Sequence, residues 1–391
     1  MKVRGAGVME ELTGCDATVM ISTSEIDANL YYATRFAVPD PFIFVQAGAE
    51  KIVVMSDLEL DRAKSQASVD TVLSYSAYER RARQKGADAP ALLDVLDLVL
   101  QERGAHHLLV PGNLGVEYAD GLRARGYTLS VKREPFFEAR LVKSDAEVEA
   151  IAATQRATEE AMGAAISAVR AAKVESDGLL YLDGEQLTSE VLKKIIHVKL
   201  MEHECVAQHT IVAPGLQGVD PHHHGNGPIR ANESIVIDVF PRSERSRYFA
   251  DMSRTVVKGK ASPKLRAMYR AVLRAQERGI ELIRDEADGR AIHAEVNAVL
   301  EKDGFTTCML GGRMQGFFHG TGHGVGLDIH EPPRIGKTGG VLRSGYVVTV
   351  EPGLYYLDTG AIRIEDLVVV TATGCQNLTS FPKEISEFEI D

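Results

Sequence analysis

Short apolar runs alternate with helical patterns through the first third of the 391-residue chain. Runs rich in β-branched residues predict strands, and four of them are ATVMIS, PFIFVQ, KIVVMS and HHLLVP. Apolar residues at a helical period predict helices over DLELDRAKSQA and APALLDVLDLVLQERG. This alternation of strands and helices predicts an α/β unit for the N-terminal part of the chain.

The pattern changes near Leu141, where a long helical stretch begins. Ser144 and Glu147 form a capping box, which marks a helix N-terminus, and the helical period then continues over SDAEVEAIAATQRATEEAMGAAISAVRAA. We therefore place a domain boundary within about residues 132–143 and divide the chain into domains of residues 1–137 and 138–391.

The C-terminal part combines long helices with strands in no strict β-α-β order, which predicts an α+β domain. Ser262 and Pro263 supply the N-cap and first position of the helix PKLRAMYRAVLRAQERGIELI. A further helix, AIHAEVNAVLEKDG, is predicted to end at Gly304. Strands are predicted at ESIVIDVF, FADMSRTVVKG, GYVVTVEPG and AIRIEDLVVVT.

Each of these four strand segments carries an acidic residue among valines and isoleucines. The acids are Asp238, Asp251, Glu351 and Glu365. A single acid could lie on the solvent face of an amphipathic strand. Four carboxylates buried in one sheet, however, would be very costly unless cations compensate them. The strands therefore predict a metal site.

The segment FFHGTGHGVGLDIHEPP, residues 317–333, places three histidines among four glycines. Glycine suits a backbone that approaches another group closely, so the segment predicts a shaped cavity wall, with His323 as a nitrogen ligand. Four carboxylates and one imidazole are too rich in oxygen for a structural zinc site and suit harder divalent ions such as Mn²⁺. Four carboxylates and a hydroxide carry about five negative charges, which two divalent ions nearly balance.

Two other motifs fit the histidine segment less well. His319 and His323 stand four residues apart, as in a zincin helix, but Gly320 replaces the general-base Glu and the glycines disfavour a helix. GTGHGVG imitates a phosphate-binding loop, but no clear strand precedes it and no Lys-Ser/Thr pair or acidic ribose partner fits.

Composition narrows the class of protein further. The hydrophobic fraction of 45% is typical of a globular chain, and the net charge of −11 disfavours nucleic acid and anionic membranes as partners. The four scattered cysteines are interpreted as small buried hydrophobes with reduced thiols. The N-terminal segment lacks an apolar export signal, and we expect a cytoplasmic protein.

The segments IVIDVF, FADMSRT, HGTGHGVGLDIHE, TVEPG and IRIED, in that order, resemble the signature of the creatinase/methionine-aminopeptidase superfamily, with its pita-bread fold. The resemblance is closest to the Xaa-Pro aminopeptidase and prolidase branch. It implies a pita-bread catalytic domain after a creatinase-type α/β N-terminal domain, and it implies five metal ligands. The ligands are Asp238, Asp251, His323, Glu351 and Glu365.

The same motifs imply further site residues. They are His319, His330, Arg363 and one histidine of DPHHHGNG, where His222 directly after Pro221 fits best and His223 and His224 stay open. Glu351 is the candidate proton shuttle, and His330 and His222 are candidate donors to the developing oxyanion. No organic cofactor is implied.

The implied reaction is hydrolysis of the bond between an N-terminal residue and a following proline, with Xaa-Pro peptides as substrates. Two divalent ions would serve as cofactors, Mn²⁺ first and Co²⁺, Zn²⁺ or Fe²⁺ as alternatives, and the family leads us to expect a homodimer. The segment EPPRIGKTGG lacks the arginine-bearing insertion of dedicated dipeptidases. This absence favours an aminopeptidase that accepts peptides longer than dipeptides. The alternatives are hydrolysis of another C–N bond on this scaffold and a non-catalytic binding protein.

Overall fold

The computed structural model describes residues 14–391, which form two compact units that divide between Arg140 and Leu141. Residues 1–13, on which the predicted lack of an export signal partly rests, lie outside this range. Across the described chain, no helix is both long and apolar enough to cross a membrane.

The N-terminal unit is built on a six-stranded sheet with the strand order β4-β3-β2-β1-β5-β6. Its elements are β1 (Ala17–Ser22), α1 (Ala28–Thr34), β2 (Phe42–Ala47), β3 (Glu50–Met55), α2 (Leu60–Gln66), β4 (Thr71–Ser74), α3 (Tyr75–Gln84), α4 (Leu92–Glu102), β5 (His107–Pro111), α5 (Val116–Ala124) and β6 (Thr128–Lys132). Strand β2 pairs antiparallel with both β1 and β3, whereas β4, β5 and β6 join by parallel pairing.

Both faces of this sheet are buried, which explains why its strands are continuous apolar runs. Val19 and Ile21 of β1 pack in one cluster with Val99 of α4, while Met20 and Phe44 pack in a second cluster with α1 and α2. The predicted strands match β1, β2, β3 and β5, and the predicted helices match α2 and α4.

The C-terminal unit mixes helices and several small sheets, as the sequence predicts. Its elements are α6 (Asp145–Ala171), β7 (Lys173–Val174), β8 (Leu180–Leu182), β9 (Glu185–Gln186), α7 (Ser189–Glu202), β10 (Cys205–Val206), β11 (Ile211–Pro214), β12 (Ile235–Val239), β13 (Arg242–Ser243), β14 (Met252–Lys258), α8 (Pro263–Leu282), α9 (Gly289–Lys302), β15 (Cys308–Leu310), β16 (Arg313–Gln315), β17 (Gly322–Gly324), β18 (Glu331–Ile335), β19 (Val347–Val350), β20 (Gly353–Tyr356), β21 (Gly360–Arg363), β22 (Asp366–Val370), β23 (Cys375–Asn377) and β24 (Glu389–Ile390).

Two helix pairs cover the two larger sheets of this unit. Helices α6 and α7 share a core with the sheet β11-β12-β14-β24, and α8 and α9 share another with the sheet β18-β17-β19-β22-β23. The Ser144 hydroxyl caps α6 and reciprocates with Glu147, and the Ser262 hydroxyl accepts from the backbone of Leu265 in α8. Both predicted helix starts are therefore confirmed.

Two segments that the sequence presents as single strands are each interrupted at an acid. GYVVTVEPG divides into β19 and β20 at Glu351, and AIRIEDLVVVT divides into β21 and β22 at Glu365. The pairs Val350↔Asp366 and Gly353↔Arg363 keep one register across the gap, so the two glutamates fall opposite each other. Like charges directly opposite destabilise a sheet, so this arrangement favours a cation between them.

The cysteines follow the sequence interpretation only in part. Each of the four, all within the described range, is free; Cys15 and Cys205 are buried, and Cys375 is half-buried. Cys308 is exposed, so the prediction of a buried side chain is wrong there, because its hairpin β15-β16 forms a separate two-stranded sheet.

Candidate metal centre

The five predicted ligands converge on one cavity of about 800 Å³ in the C-terminal unit. Asp238 lies within β12, Asp251 directly precedes β14, and His323 lies in β17. Glu351 and Glu365 occupy the two strand breaks, so three of the four acids flank strands rather than lie inside them. Four of the five are buried, and the Glu351 side chain is 18% exposed.

Three of these residues meet most closely. The ligand atoms of Asp251, His323 and Glu365 all lie within 4.8 Å of one another. His323 Nε2 lies 3.6 Å from Asp251 Oδ2 and 3.4 Å from Glu351 Oε1. The separations are too long for direct hydrogen bonds and leave room for a shared cation.

The tautomer of His323 is fixed by its backbone. Nδ1 lies 3.1 Å from the carbonyl oxygen of Gly324, so Nδ1 carries the proton and donates it there. Burial lowers the pKa of His323 to about 3, so the ring is neutral. Nε2 therefore presents a lone pair toward two carboxylates, an arrangement that a divalent ion shared by the three groups would stabilise.

The carboxylates show the same need for positive charge. Burial, and then the neighbouring carboxylates, raise the pKa values of Asp251 and Glu365 well above their usual range. Burial also raises the pKa of Glu351 to about 7. Without a cation these groups hold protons, and a divalent ion would release them.

Asp238 combines one satisfied oxygen with one unsatisfied oxygen. Its Oδ2 accepts a hydrogen bond of 2.7 Å from Arg363 Nη2. Its Oδ1 is buried and has no hydrogen-bond partner among the described residues. A buried acceptor without a donor is costly, and a cation is the partner that fits this donor set.

Arg363 links several parts of the centre. Its Nε donates to Ser253 Oγ at 2.9 Å, and Ser253 Oγ donates to Glu365 Oε2 at 3.0 Å. Its Nη1 donates to the carbonyl oxygen of Pro221, which precedes His222, at 3.3 Å. The buried guanidinium thus connects Asp238 with the segment that carries His222.

His319 is linked to Arg363 through the hydroxyl of Tyr355. His319 Nδ1 donates to the carbonyl oxygen of Gly320 at 2.8 Å, so its Nε2 accepts from the Tyr355 hydroxyl at 2.9 Å. The same hydroxyl accepts a hydrogen bond from Arg363 Nη1 at 3.2 Å. Burial, with Arg363 nearby, lowers the pKa of His319 to about 3 and keeps the ring neutral.

The remaining histidines differ in their surroundings. The His330 ring lies 4.4 Å from the His323 ring, edge to face. Of the three consecutive histidines, His222 lines the cavity. His223 Nδ1 instead accepts from the backbone of Gly225 at 3.0 Å, and the His224 ring lies 5.4 Å from that of His209.

Sequence reasoning missed several residues of this site. Tyr355 follows the EPG segment in an apolar stretch, where nothing marks it as more than a core aromatic. His293 of α9, Arg334 of β18 and Lys337 also line the cavity. The pairing of Arg334 opposite His323 could have been found only from the strand register.

Comparison with known proteins extends these observations. The Xaa-Pro dipeptidase of Pyrococcus furiosus is 25% identical over 362 residues, which are 91% of this chain and 92% of that protein. The structure of X-Pro aminopeptidase from Thermotoga maritima has a TM-score of 0.79 at 21% identity and covers 96% of this chain and 98% of its own. Xaa-Pro dipeptidase from Bacillus anthracis has a TM-score of 0.81 at 22% identity and covers 96% of both chains.

The two structural likenesses extend over nearly the whole chain and confirm the predicted pita-bread fold with its α/β N-terminal part. Residues 149–372, which contain all five predicted ligands, match the model of metallopeptidase family M24. This match spans more than half of the sequence, and the chain belongs to metallopeptidase family M24.

Proposed function

We propose that the protein is a metal-dependent Xaa-Pro peptidase, which releases the N-terminal residue from peptides with proline in second position. The observation that carries the proposal is the lone pair of His323 Nε2 aimed at Asp251 and Glu351 in one cavity. The similarity to the P. furiosus Xaa-Pro dipeptidase supports the substrate class.

Family membership implies divalent metal, and the proposed holders are the five predicted ligands, Asp238, Asp251, His323, Glu351 and Glu365. The unsatisfied Oδ1 of Asp238 supports a second ion beside the first. Four carboxylates favour Mn²⁺, with Co²⁺, Zn²⁺ or Fe²⁺ as alternatives. When bound, such ions polarise the scissile carbonyl and lower the pKa of water.

Glu351 is the proposed proton carrier. Its side chain is the most exposed of the five proposed ligands, at 18%, and it faces the cavity, so it can exchange protons with water and substrate there. Thr349 Oγ1 lies 3.3 Å from its Oε1, which orients the carboxylate. Glu351 would take the proton from water and deliver it to the departing proline nitrogen.

His330 and His222 are proposed to donate hydrogen bonds to the oxyanion that develops on the scissile carbonyl. Both line the cavity, and neither belongs to the proposed ligand set. His319 and Arg363 have a different proposed role, because their polar atoms bind Tyr355 and Asp238. They orient the walls of the site.

Proline has no N–H and a fixed φ, so its ring suits a subsite that offers apolar contact and needs no amide donor. Ile211, Phe240, Phe318 and Ile329 supply apolar surface to the cavity. These side chains support the proposed preference for Xaa-Pro over Xaa-Ala bonds.

Peptide length depends on what receives the C-terminal carboxylate. Arg363 is already paired with Asp238, whereas Arg334 and Lys337 are exposed cations on the cavity wall. These cations could hold the carboxylate of a dipeptide as well as that of a longer peptide, so we propose activity on both. We further propose a homodimer, on the sequence resemblance alone, and a cytoplasmic location, which the four free cysteines support.

The decisive experiment compares kcat/KM for Ala-Pro, Ala-Pro-Ala and Ala-Ala with Mn²⁺, Co²⁺ and Zn²⁺ in turn. Faster cleavage of the two proline substrates than of Ala-Ala is expected, with Glu351→Gln as the inactive control. Cleavage of Ala-Ala at an equal rate would refute the Xaa-Pro preference. No cleavage of any peptide by metal-loaded protein would refute peptidase activity.

A further inference from the structure

Glu331, the residue after His330, forms a buried ion pair with Lys143. Lys143 Nζ lies 2.5 Å from Glu331 Oε1, and the two side chains are 2% and 5% exposed. A buried charge is costly unless its partner stays in place, so such a pair strongly restricts where each side chain lies. Lys143 lies outside the segment that matches the M24 family model, which begins at residue 149.

The lysine is fixed at both ends. Its backbone N–H donates to the carbonyl oxygen of Gly345 at 2.8 Å, and the N–H of Gly345 donates to Val370 of β22 at 2.9 Å. Gly345 has a φ of +87°, a conformation that favours glycine, and lies just before β19. Lys143 is thereby attached to the two strands that lead to Glu351 and Glu365.

The glutamate is enclosed by the loop that ends at His330, residues 326–330. A Cβ at Gly326 would lie within 2.7 Å of the Glu331 carboxylate, so the backbone wraps closely around it. The Gly326 carbonyl accepts from the Phe249 N–H at 2.8 Å, and the Gly326 N–H donates to the Asp328 carbonyl at 3.1 Å. The Asp328 N–H also lies 3.5 Å from Glu331 Oε2, so the carboxylate contacts the backbone of loop 326–330 directly.

We propose that Lys143 and Glu331 are a positioning pair that holds loop 326–330 and so fixes the His330 ring against His323. The pair joins β19 and β22, which flank Glu351 and Glu365, to the loop that carries His330. It acts through His330 and touches neither substrate nor metal. This inference rests on the proposed function for the reaction that His330 serves, but the anchoring itself is a property of the metal-free chain.

A pair with a purely structural role would lower stability and leave turnover by the folded molecules unchanged. A positioning pair has a further effect, because a donor misplaced by about 1 Å costs up to roughly 100-fold in rate. The ligands lie outside loop 326–330, so metal content should be retained. The readouts that separate the two roles are therefore the mobility of the loop and kcat at full metal content.

The test uses full-length Lys143→Met, Glu331→Gln and the double variant, which removes both charges and avoids a lone buried ion. Lys264→Met is the matched control, because it breaks an exposed ion pair of the same unit, Lys264 Nζ to Asp358 at 2.7 Å. Hydrogen exchange of residues 324–332 is measured without metal, and kcat and KM for Ala-Pro are measured with saturating Mn²⁺.

We expect at least 10-fold faster exchange in residues 324–332 and a 10- to 100-fold lower kcat in the double variant, with metal content and KM little changed. Lys264→Met should match the unmodified protein. Unchanged exchange in a folded double variant overturns the proposal, as does unchanged kcat with faster exchange. If the unmodified protein does not cleave Ala-Pro, the proposed function fails, and the exchange comparison still decides whether the pair anchors the loop.

Discussion

At the residue scale, Tyr355 connects groups that the sequence singles out separately. Its hydroxyl accepts from Arg363 and donates to His319, so one side chain orients two motif residues. The motifs identify those residues by order and spacing, but they do not mark a tyrosine that acts through contacts across the fold. The candidate ligands were predictable from sequence because acids in apolar strands are unusual; their hydrogen-bonded supports were not.

Replacing Tyr355 with Phe should lower kcat/KM for Ala-Pro roughly 10-fold and the free energy of unfolding by about 1–2 kcal/mol. The buried Arg363 would lose one acceptor, and His319 Nε2 would lose its donor. Tyr356→Phe is the matched control, because that hydroxyl bonds the exposed Thr306 carbonyl at 2.9 Å. Equal effects of the two substitutions would contradict the role given to Tyr355.

Glu351 should make the metal-free protein less stable as pH rises. Its pKa is about 7 in the folded state against a usual value of 4.5, so the folded chain binds more protons between these pH values. Stability from this group is therefore complete below pH 4.5 and is lost by about pH 7. The Glu351→Gln variant should not lose this stability as the pH rises.

Both proteins are unfolded with urea in the presence of a chelator at pH 5 and pH 8. Unfolding is monitored by circular dichroism, because the chain has no tryptophan. The variant should gain up to about 3 kcal/mol relative to the unmodified protein between the two pH values. If the difference in unfolding free energy between the two proteins is the same at pH 5 and pH 8, Glu351 does not hold a proton in the folded state.

At the scale of elements, the strand breaks are the feature that sequence reasoning could not resolve. The runs around Glu351 and Glu365 are apolar on both sides, so their pattern is that of continuous strands. Pro352 carried a signal, because proline cannot donate to a ladder. No comparable signal accompanies Glu365, whose break follows from its position opposite Glu351.

Gly322→Ala should disrupt the pairing of β17 with β19. A Cβ at this position would lie 1.9 Å from the Thr349 carbonyl oxygen, which is backbone and has no alternative rotamer. We expect a loss of about 3 kcal/mol in stability and weaker metal binding, because His323 is the next residue. Gly340→Ala is the control, since its Cβ would meet nothing within 4 Å. Similar unfolding midpoints for both variants would contradict the close approach.

At the scale of the whole molecule, the two units have separate hydrophobic clusters. The proposed ligands all lie in the C-terminal unit. The sequence predicted the longer strands, five of the helices and the class of each part, because periodicity and caps are local, but it did not predict the short strands or helices α1, α3, α5 and α7. The pairing of strands into sheets depends on contacts between residues that are distant in sequence. The sequence therefore did not predict this pairing.

Metal should therefore stabilise the C-terminal unit selectively. At a free concentration 100 times Kd, bound Mn²⁺ should add about 2.7 kcal/mol to the free energy of unfolding. Hydrogen exchange in β14 and β19 should slow, while exchange in β1 and β2 of the N-terminal unit stays unchanged. Glu365→Gln should abolish the difference. Equal slowing in both units would mean that they unfold together, contrary to this prediction.

The spread of the proposed ligands along the chain also bears on biosynthesis. Asp238 and Glu365 are separated by more than a hundred residues, and β14 is completed by pairing with β24, Glu389–Ile390. Domains fold as units while the ribosome adds residues from the N-terminus. The N-terminal unit can thus fold early, whereas the metal centre can assemble only after the last ligand has emerged. With the proposed ligands, we expect metal loading to be a late step of maturation, after Glu365 has left the ribosome.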